Sequence, residues 1–348
     1  MDINSLQREN IKNLRPYSTA RDEYKGQASV YLDANENSFG SPLPADYNRY
    51  PDPLQLDLKD AISKIKGVPI ENTFLGNGSD EAIDLLYRAF CEPAKDNVII
   101  LPPTYGMYEV SANINNVEIR KVNLLPNYQL DLNGIAEAID ANTKMIFICS
   151  PNNPTGNSII RTDIETILTN FKGLVVIDEA YINFAKQRSF IKELTEYPNL
   201  VILQTFSKAW GLAALRLGMA FAGRPTIDIL NKVKPPYNIN QATQDLALAA
   251  LQNVNQVNEW IKVTVEEREK LSSELLELSI VKNVYPSEAN FILAEVTNAT
   301  SIYDFLVNQG IIVRDRSKVT LCEGCLRISI GTPTENKTLL TALMNYQA

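Results

Sequence analysis

Lys208 stands in Thr205-Phe206-Ser207-Lys208-Ala209-Trp210-Gly211-Leu212-Ala213-Ala214-Leu215-Arg216-Leu217-Gly218, straight after the apolar run Leu200 to Leu203. A lysine just past a buried strand is placed for covalent chemistry. Partial burial lowers an amine's pKa, and the neutral amine attacks aldehydes to form a Schiff base. Ser207 and Arg216 set a hydroxyl and a guanidinium beside it, the groups that a phosphate-bearing aldehyde requires. A lysine near a serine is ordinarily a solvated surface residue. The surrounding pattern of small, apolar and cationic positions argues against that here.

Asp178 closes a second apolar run, Leu174 to Ile177. A carboxylate at the end of a buried strand is costly without a cationic partner, and a protonated pyridine nitrogen would serve, keeping the ring an electron sink. A helix cap or a buried salt bridge is the plainer reading. Tyr181, three residues on, offers a hydroxyl to a phenolate oxygen on such a ring. Ser150-Pro151-Asn152-Asn153-Pro154-Thr155-Gly156 is a turn in which two prolines fix the backbone, so Asn153 can be held with little entropy loss. Tyr105 follows Pro102-Pro103-Thr104 and is suited either to stacking on a ring or to filling the core. Gly76-Asn77-Gly78-Ser79-Asp80-Glu81 leads into an amphipathic helix whose first amides would meet an anion, with Ser79 and Asp80 as capping candidates. An ordinary capped helix is the alternative. The spacing matches neither the P-loop nor the GxGxxG fingerprint; with Ser207, Lys208 and Arg216 elsewhere in the chain, a cofactor phosphate becomes the favoured occupant.

Short Val- and Ile-rich runs position these groups: Asn97 to Leu101, Met145 to Cys149, Leu174 to Ile177 and Leu200 to Leu203. Helix-like segments lie between them, the pattern of a parallel sheet covered on both faces. Ligands of such sheets gather beyond the carboxyl ends of the strands, where every motif above falls. Lys234-Pro235-Pro236-Tyr237-Asn238 interrupts the periodicity and divides a large domain, 31–234, from a smaller one, 235–348. In the latter, Gln244 to Leu278 reads as one long helix, with strands at Asn290 to Ala294 and Cys325 to Ile330. Residues 1–30 form an N-terminal arm with no element of its own.

The 348 residues carry a net charge of −8 and no basic cluster, which gives nucleic acid and anionic membranes no footing. No apolar run is long enough to span a bilayer and the polar N-terminus is unlike a signal peptide, so a cytoplasmic location is expected. There is no histidine at all, so proton transfer falls to Lys, Tyr, Asp or Glu. Cys322-Glu323-Gly324-Cys325 has metal-ligand spacing, but no second pair and no histidine complete a zinc set. Two free thiols in a loop, and no metal, are expected.

These residues together resemble the histidinol-phosphate aminotransferase family over nearly the whole chain. Asn13-Leu14-Arg15-Pro16-Tyr17, Leu32-Asp33-Ala34-Asn35-Glu36, Asn48-Arg49-Tyr50-Pro51 and Pro102-Pro103-Thr104-Tyr105-Gly106-Met107-Tyr108 carry the likeness. Gly310-Ile311-Ile312-Val313-Arg314-Asp315 and Cys325-Leu326-Arg327-Ile328-Ser329-Ile330-Gly331-Thr332 extend it, beside the Asn153, Asp178 and Lys208 motifs. Trp210 departs from the family, which more often has a smaller aromatic there. The resemblance implies an α/β, fold-type-I transferase dependent on pyridoxal 5'-phosphate (PLP), with a mostly parallel central sheet covered by helices and a smaller α+β domain. It implies transamination between L-histidinol phosphate and 2-oxoglutarate, giving glutamate, in histidine biosynthesis. Lys208 would hold the cofactor as a Schiff base and shuttle the proton. Asp178 would pair with the pyridine nitrogen, Asn153 and Tyr181 with the phenolic oxygen, and Tyr105 with the ring face. Amides at Gly78, Ser79 and Asp80, with Ser207 and Arg216, would hold the phosphate. Arg327 would take the glutamate carboxylate and the histidinol phosphate group in turn, with Arg314, Tyr17 and Asn35 around the substrate. Tyr50 would reach the cofactor phosphate of a second subunit, making a homodimer with shared active sites. An aromatic-amino-acid aminotransferase and a phospho-amino-acid decarboxylase share this machinery and are the alternatives. A PLP-sensing DNA-binding regulator would need a basic helix-turn-helix segment, for which no residues are left over.

Overall fold

The strands with no polar face lie in the middle of a seven-stranded sheet, in a computed structural model that describes residues 2–19 and 28–347. The strands are β1 (Thr73–Asn77), β2 (Asn97–Ile100), β3 (Glu118–Lys121), β4 (Thr143–Cys149), β5 (Leu174–Asp178), β6 (Leu200–Thr205) and β7 (Leu217–Ala222). Their order is β1-β7-β6-β5-β4-β2-β3, and β7 alone runs antiparallel to its neighbours. Alternate residues feed two apolar layers. Ile146, Ile148, Val175, Ile177 and Ile202 face one, while Met145, Phe147, Leu174, Val176, Val201 and Leu203 face the other. Each such side chain contributes about 1.5–3 kcal/mol when fully buried, and a one-residue slip would exchange the two layers, so the register is strongly specified.

A second sheet, entirely antiparallel, has the order β10-β11-β9-β8, from β8 (Val281–Val284), β9 (Phe291–Val296), β10 (Arg314–Asp315) and β11 (Cys325–Ser329). The helices Ala299–Asn308 and Pro333–Met344 cover one face of it through Ile302, Leu306, Leu339 and Leu343. The molecule is thus α/β, a mostly parallel sheet wrapped by helices with a smaller antiparallel sheet beside it. No helix among the described residues is long and apolar enough to cross a membrane.

Three expectations need correction. The single helix over Gln244 to Leu278 is two, Gln241–Leu251 and Val254–Leu276. Asn240 caps the first by accepting from the Thr243 N–H, and at the break Asn253 turns its own N–H to the Ala250 carbonyl. The N-terminal arm does carry structure, a 3-10 turn at Ile3–Leu6 and a helical turn at Glu9–Lys12. Such short turns are unstable alone; burial of Ile3 and Ile11 and a bond from Lys232 to the Ile11 carbonyl hold them. Residues 20–27 of the arm lie outside the described residues. Cys322 and Cys325 are free, but both are buried, and Cys325 opens β11 rather than sitting in a loop. Burial pushes each thiol up to about 12, which keeps it protonated and inert.

Candidate active site

Beyond the carboxyl ends of β1, β4, β5 and β6 a single pocket collects Gly78, Ser79, Asp80, Tyr105, Asn153, Asp178, Tyr181, Ser207, Lys208 and Arg216. Parallel strands ending at one edge explain how residues so far apart in sequence come to share it.

At the first strand end, Gly78 is the N-cap of the helix Ser79–Phe90 and no side chain caps it at that position. Ser79 and Asp80 therefore do not cap. Instead the Glu81 carboxylate accepts the Asn77 N–H at 2.5 Å. The Gly78 N–H is committed to the Arg216 carbonyl at 2.7 Å, so it is not an open donor as expected. The amides of Ser79 and Asp80 belong to the first helical turn, where no intrahelical acceptor exists and the helix dipole favours an anion. Gly78 has φ +76, and a Cβ there would lie 2.8 Å from the Arg216 guanidinium. Arg216 itself adopts φ +53, strained for a residue with a side chain, and its Nη2 sits 3.6 Å from the Asp80 carboxylate.

Asp178 is buried at the end of β5. Its Oδ2 accepts from the Tyr108 hydroxyl at 2.7 Å and its Oδ1 from the Ala180 N–H at 3.0 Å. Burial raises its pKa above the usual carboxylate value, while the two bonds and the Lys208 charge pull the other way. A carboxylate in this position is short of a cation. Tyr108 has no role that its sequence motif assigns; its place one helical turn past Tyr105 in the helix Met107–Ile114 is the available signal. Tyr105 donates to Asp80 at 3.1 Å and meets Tyr108 edge-on at 5.6 Å. Asn153 donates to the Tyr181 hydroxyl at 3.5 Å and accepts from Arg327 Nη1 at 2.6 Å.

Lys208 opens on the pocket with its amine 5.7 Å from the Tyr181 ring centre. Burial, then the Arg327 charge, lower its pKa below the usual lysine value. Arg327 projects from β11 with its guanidinium 5.3 Å from the Phe291 ring centre, and its Nε is buried without a partner. Burial and the neighbouring Arg316 lower its pKa. Arg316, which no motif marks, also has a buried Nε without a partner. It lies two residues beyond Arg314, the spacing that returns to the same face of an extended strand. Arg314 is the exposed cross-strand neighbour of Arg327.

Tyr17, Asn35 and Tyr50 are exposed and line other clefts of the same chain. Tyr50 stacks on Tyr237 with ring centres 4.5 Å apart.

The pocket's donor set fits PLP: a lysine of lowered pKa, a buried carboxylate short of a cation, two open amides at a helix start, and a guanidinium beside them. Residues 32–343 match the family model described as aminotransferase class I and II. The chain is 56% identical to a histidinol-phosphate aminotransferase of Bacteroides thetaiotaomicron, over 99% of each chain. The histidinol-phosphate aminotransferase structure from Clostridium acetobutylicum has a TM-score of 0.79 at 26% identity, covering 86% of this chain and 90% of that one. The Sinorhizobium meliloti enzyme of that name, in complex with pyridoxal-5'-phosphate, has a TM-score of 0.77 at 25% identity and 89% coverage of both.

Proposed function

The chain belongs to the class I and II aminotransferases, within them to the histidinol-phosphate aminotransferase family, and we propose that it moves the amino group between L-histidinol phosphate and 2-oxoglutarate, a step of histidine biosynthesis. It is a PLP-dependent transferase. When bound, PLP supplies an aldehyde that takes up the amine and a ring that withdraws electrons from the reacting carbon.

The chain's own groups divide the remaining work. Lys208 would hold the aldehyde and would take up and return the proton at the substrate carbon; its lowered pKa favours the neutral amine that such a base needs, and the chain has no histidine to replace it. Asp178 keeps the pyridine nitrogen protonated, in a position where the carboxylate itself needs a cation. Asn153 and Tyr181 hold the phenolic oxygen, and Tyr105 covers the ring. The Ser79 and Asp80 amides, Ser207 and Arg216 hold the phosphate. Arg327, with Arg316 added to Arg314, takes the anionic end of each substrate in turn. A ping-pong rate law is expected, because the amino group stays with the enzyme after the first product leaves and before the second substrate binds. Tyr50, Tyr17 and Asn35 act at the pocket of a second copy, in a homodimer. The cytoplasm is the proposed compartment, in keeping with four unpaired thiols.

One observation carries the substrate reading: Arg327, whose buried Nε has no partner, bonds to Asn153 of the Asn153–Tyr181 pair, and Arg316, with a second such Nε, is close enough for its charge to act on both Arg327 and Tyr181. A guanidinium fork accepts carboxylate and phosphate alike. The test is to mix the holoenzyme separately with histidinol phosphate, phenylalanine and O-phosphothreonine. Fast loss of the bound cofactor's absorbance with histidinol phosphate, and slow loss with phenylalanine, is expected. A preference for phenylalanine, or carbon dioxide released from O-phosphothreonine, would replace this reading with one of its two alternatives.

A further inference from the structure

Arg268 is 2% exposed, on the Val254–Leu276 helix and outside the Lys208 pocket. Its Nη1 donates to two carbonyls, Ala289 at 2.9 Å and Phe184 at 3.3 Å. The Nε is buried without a partner, and Glu269, which pairs with Nη2 at 3.1 Å, is largely in solvent. A buried guanidinium with so exposed a counter-charge is unfavourable to fold stability. Two apolar contacts would serve packing better.

The two carbonyls belong to two different segments, each of which leads to the reaction centre. Phe184 ends the turn Ile182–Phe184, which begins directly after Tyr181. Ala289 lies two residues before Phe291, whose ring meets Tyr181 edge-on at 5.1 Å and underlies the Arg327 guanidinium at 5.3 Å. The residue before Ala289 is docked on the loop carrying Asn153: the Glu288 N–H donates to the Gly156 carbonyl at 2.7 Å and Ser158 to the Glu288 carboxylate at 2.5 Å. Gly156, at φ +83, is what permits this approach, since a Cβ there would lie 2.6 Å from Ser287 Oγ.

We propose that Arg268 is a positioning residue: by gripping both carbonyls it fixes the spacing between Tyr181 and the Phe291 ring on which Arg327 rests. The inference builds on the reading of Tyr181 and Arg327 as cofactor and substrate ligands. Loss of the grip should loosen the substrate's anionic end and shift the hydroxyl beside the cofactor's phenolic oxygen, with PLP still bound.

Arg268→Lys, Arg268→Met and Phe291→Leu holoenzymes test it, beside Arg327→Lys. KM for histidinol phosphate and for glutamate should both rise about tenfold in the Arg268 variants, with a smaller fall in kcat, since misplacement by 1 Å can cost up to about 100-fold. The pH midpoint of the bound cofactor's visible absorbance should move, with Arg268→Lys between wild type and Arg268→Met. Phe291→Leu removes the ring while leaving the Arg268 bonds intact. It should raise both KM values, and it decides the matter if the Arg268 variants do not fold. Wild-type KM values and absorbance midpoints in folded Arg268 variants, or unchanged KM values in Phe291→Leu, overturn the proposal. The reading of Arg327 as substrate anchor fails separately, on unchanged KM values in Arg327→Lys.

Discussion

The Lys208 pocket and the segment up to Tyr50 both carry residues assigned to the active site, yet one chain treats them in opposite ways. Asp178, Asn153 and Tyr181 sit at strand ends, buried or half-buried, and bond to other pocket residues or their neighbours. Tyr17 and Tyr50 are 76% and 51% exposed and lie in different clefts. A sheet gathers side chains from distant sequence at one edge without help from a second copy. An extended segment has no such frame. Leu14, Tyr17, Leu32, Phe39, Leu43, Tyr47 and Tyr50 are all exposed within this one stretch, and such a concentration of exposed apolar side chains suggests a surface that another molecule covers. This supports the proposal that these residues work on a neighbouring subunit.

The largest expected effect breaks the pocket side. Lys208→Ala should abolish the visible absorbance of bound PLP after dialysis and lower turnover by about 10⁴-fold or more, because covalent attachment and proton transfer are lost together. An unchanged spectrum would remove Lys208 from its role.

Asp178→Asn should lower kcat by about 10²–10³-fold, as for loss of other preorganised charge stabilisation. The cofactor-free protein should respond in the opposite direction. The Asp178 pKa is raised on folding, so its stabilising share is full below the unfolded value of 3.8 and is lost as pH rises through the folded value. At neutral pH the wild type therefore carries a penalty that a neutral amide in place of the carboxylate removes. Thermal unfolding without PLP should occur a few degrees higher for Asp178→Asn at pH 8, with a smaller gap at pH 5. A lower midpoint at pH 8 would show that Asp178 is satisfied by the protein alone.

Arg327→Lys should weaken glutamate and histidinol phosphate together, by about 10- to 100-fold in kcat/KM, because an ammonium cannot reproduce the fork. Arg316→Lys should do the same more weakly. Impairment of one half-reaction only, in single-turnover measurements, would contradict the shared anion site.

The central strands and the motifs at their ends are legible in the sequence because full burial writes itself as an unbroken Val and Ile run. The strand β3 is not, since its Glu118-Ile119-Arg120-Lys121 is a polar edge strand. The helix break at Gln252 and Asn253 has no glycine or proline to mark it. Tyr108 acquires its role only through contact with Asp178, 70 residues away. Arg316 sits in the same short stretch as Arg314, and only the folded structure shows that Arg314 is exposed while the Arg316 Nε is buried. The commitment of the Gly78 N–H to the Arg216 carbonyl likewise depends on two distant segments meeting.

One chain supplying the lysine pocket and another completing it is the central claim, and complementation tests it directly. Tyr50→Phe and Lys208→Ala chains, each impaired as a homodimer, are unfolded, mixed in equal amounts and refolded together. If Tyr50 acts on the neighbouring pocket, each mixed dimer has one site with both changes and one intact site. Random pairing makes about half the dimers mixed, so roughly a quarter of wild-type activity should return in a closed two-fold assembly. Activity no greater than the average of the two parent homodimers would mean that Tyr50 serves its own chain, and would contradict the shared site.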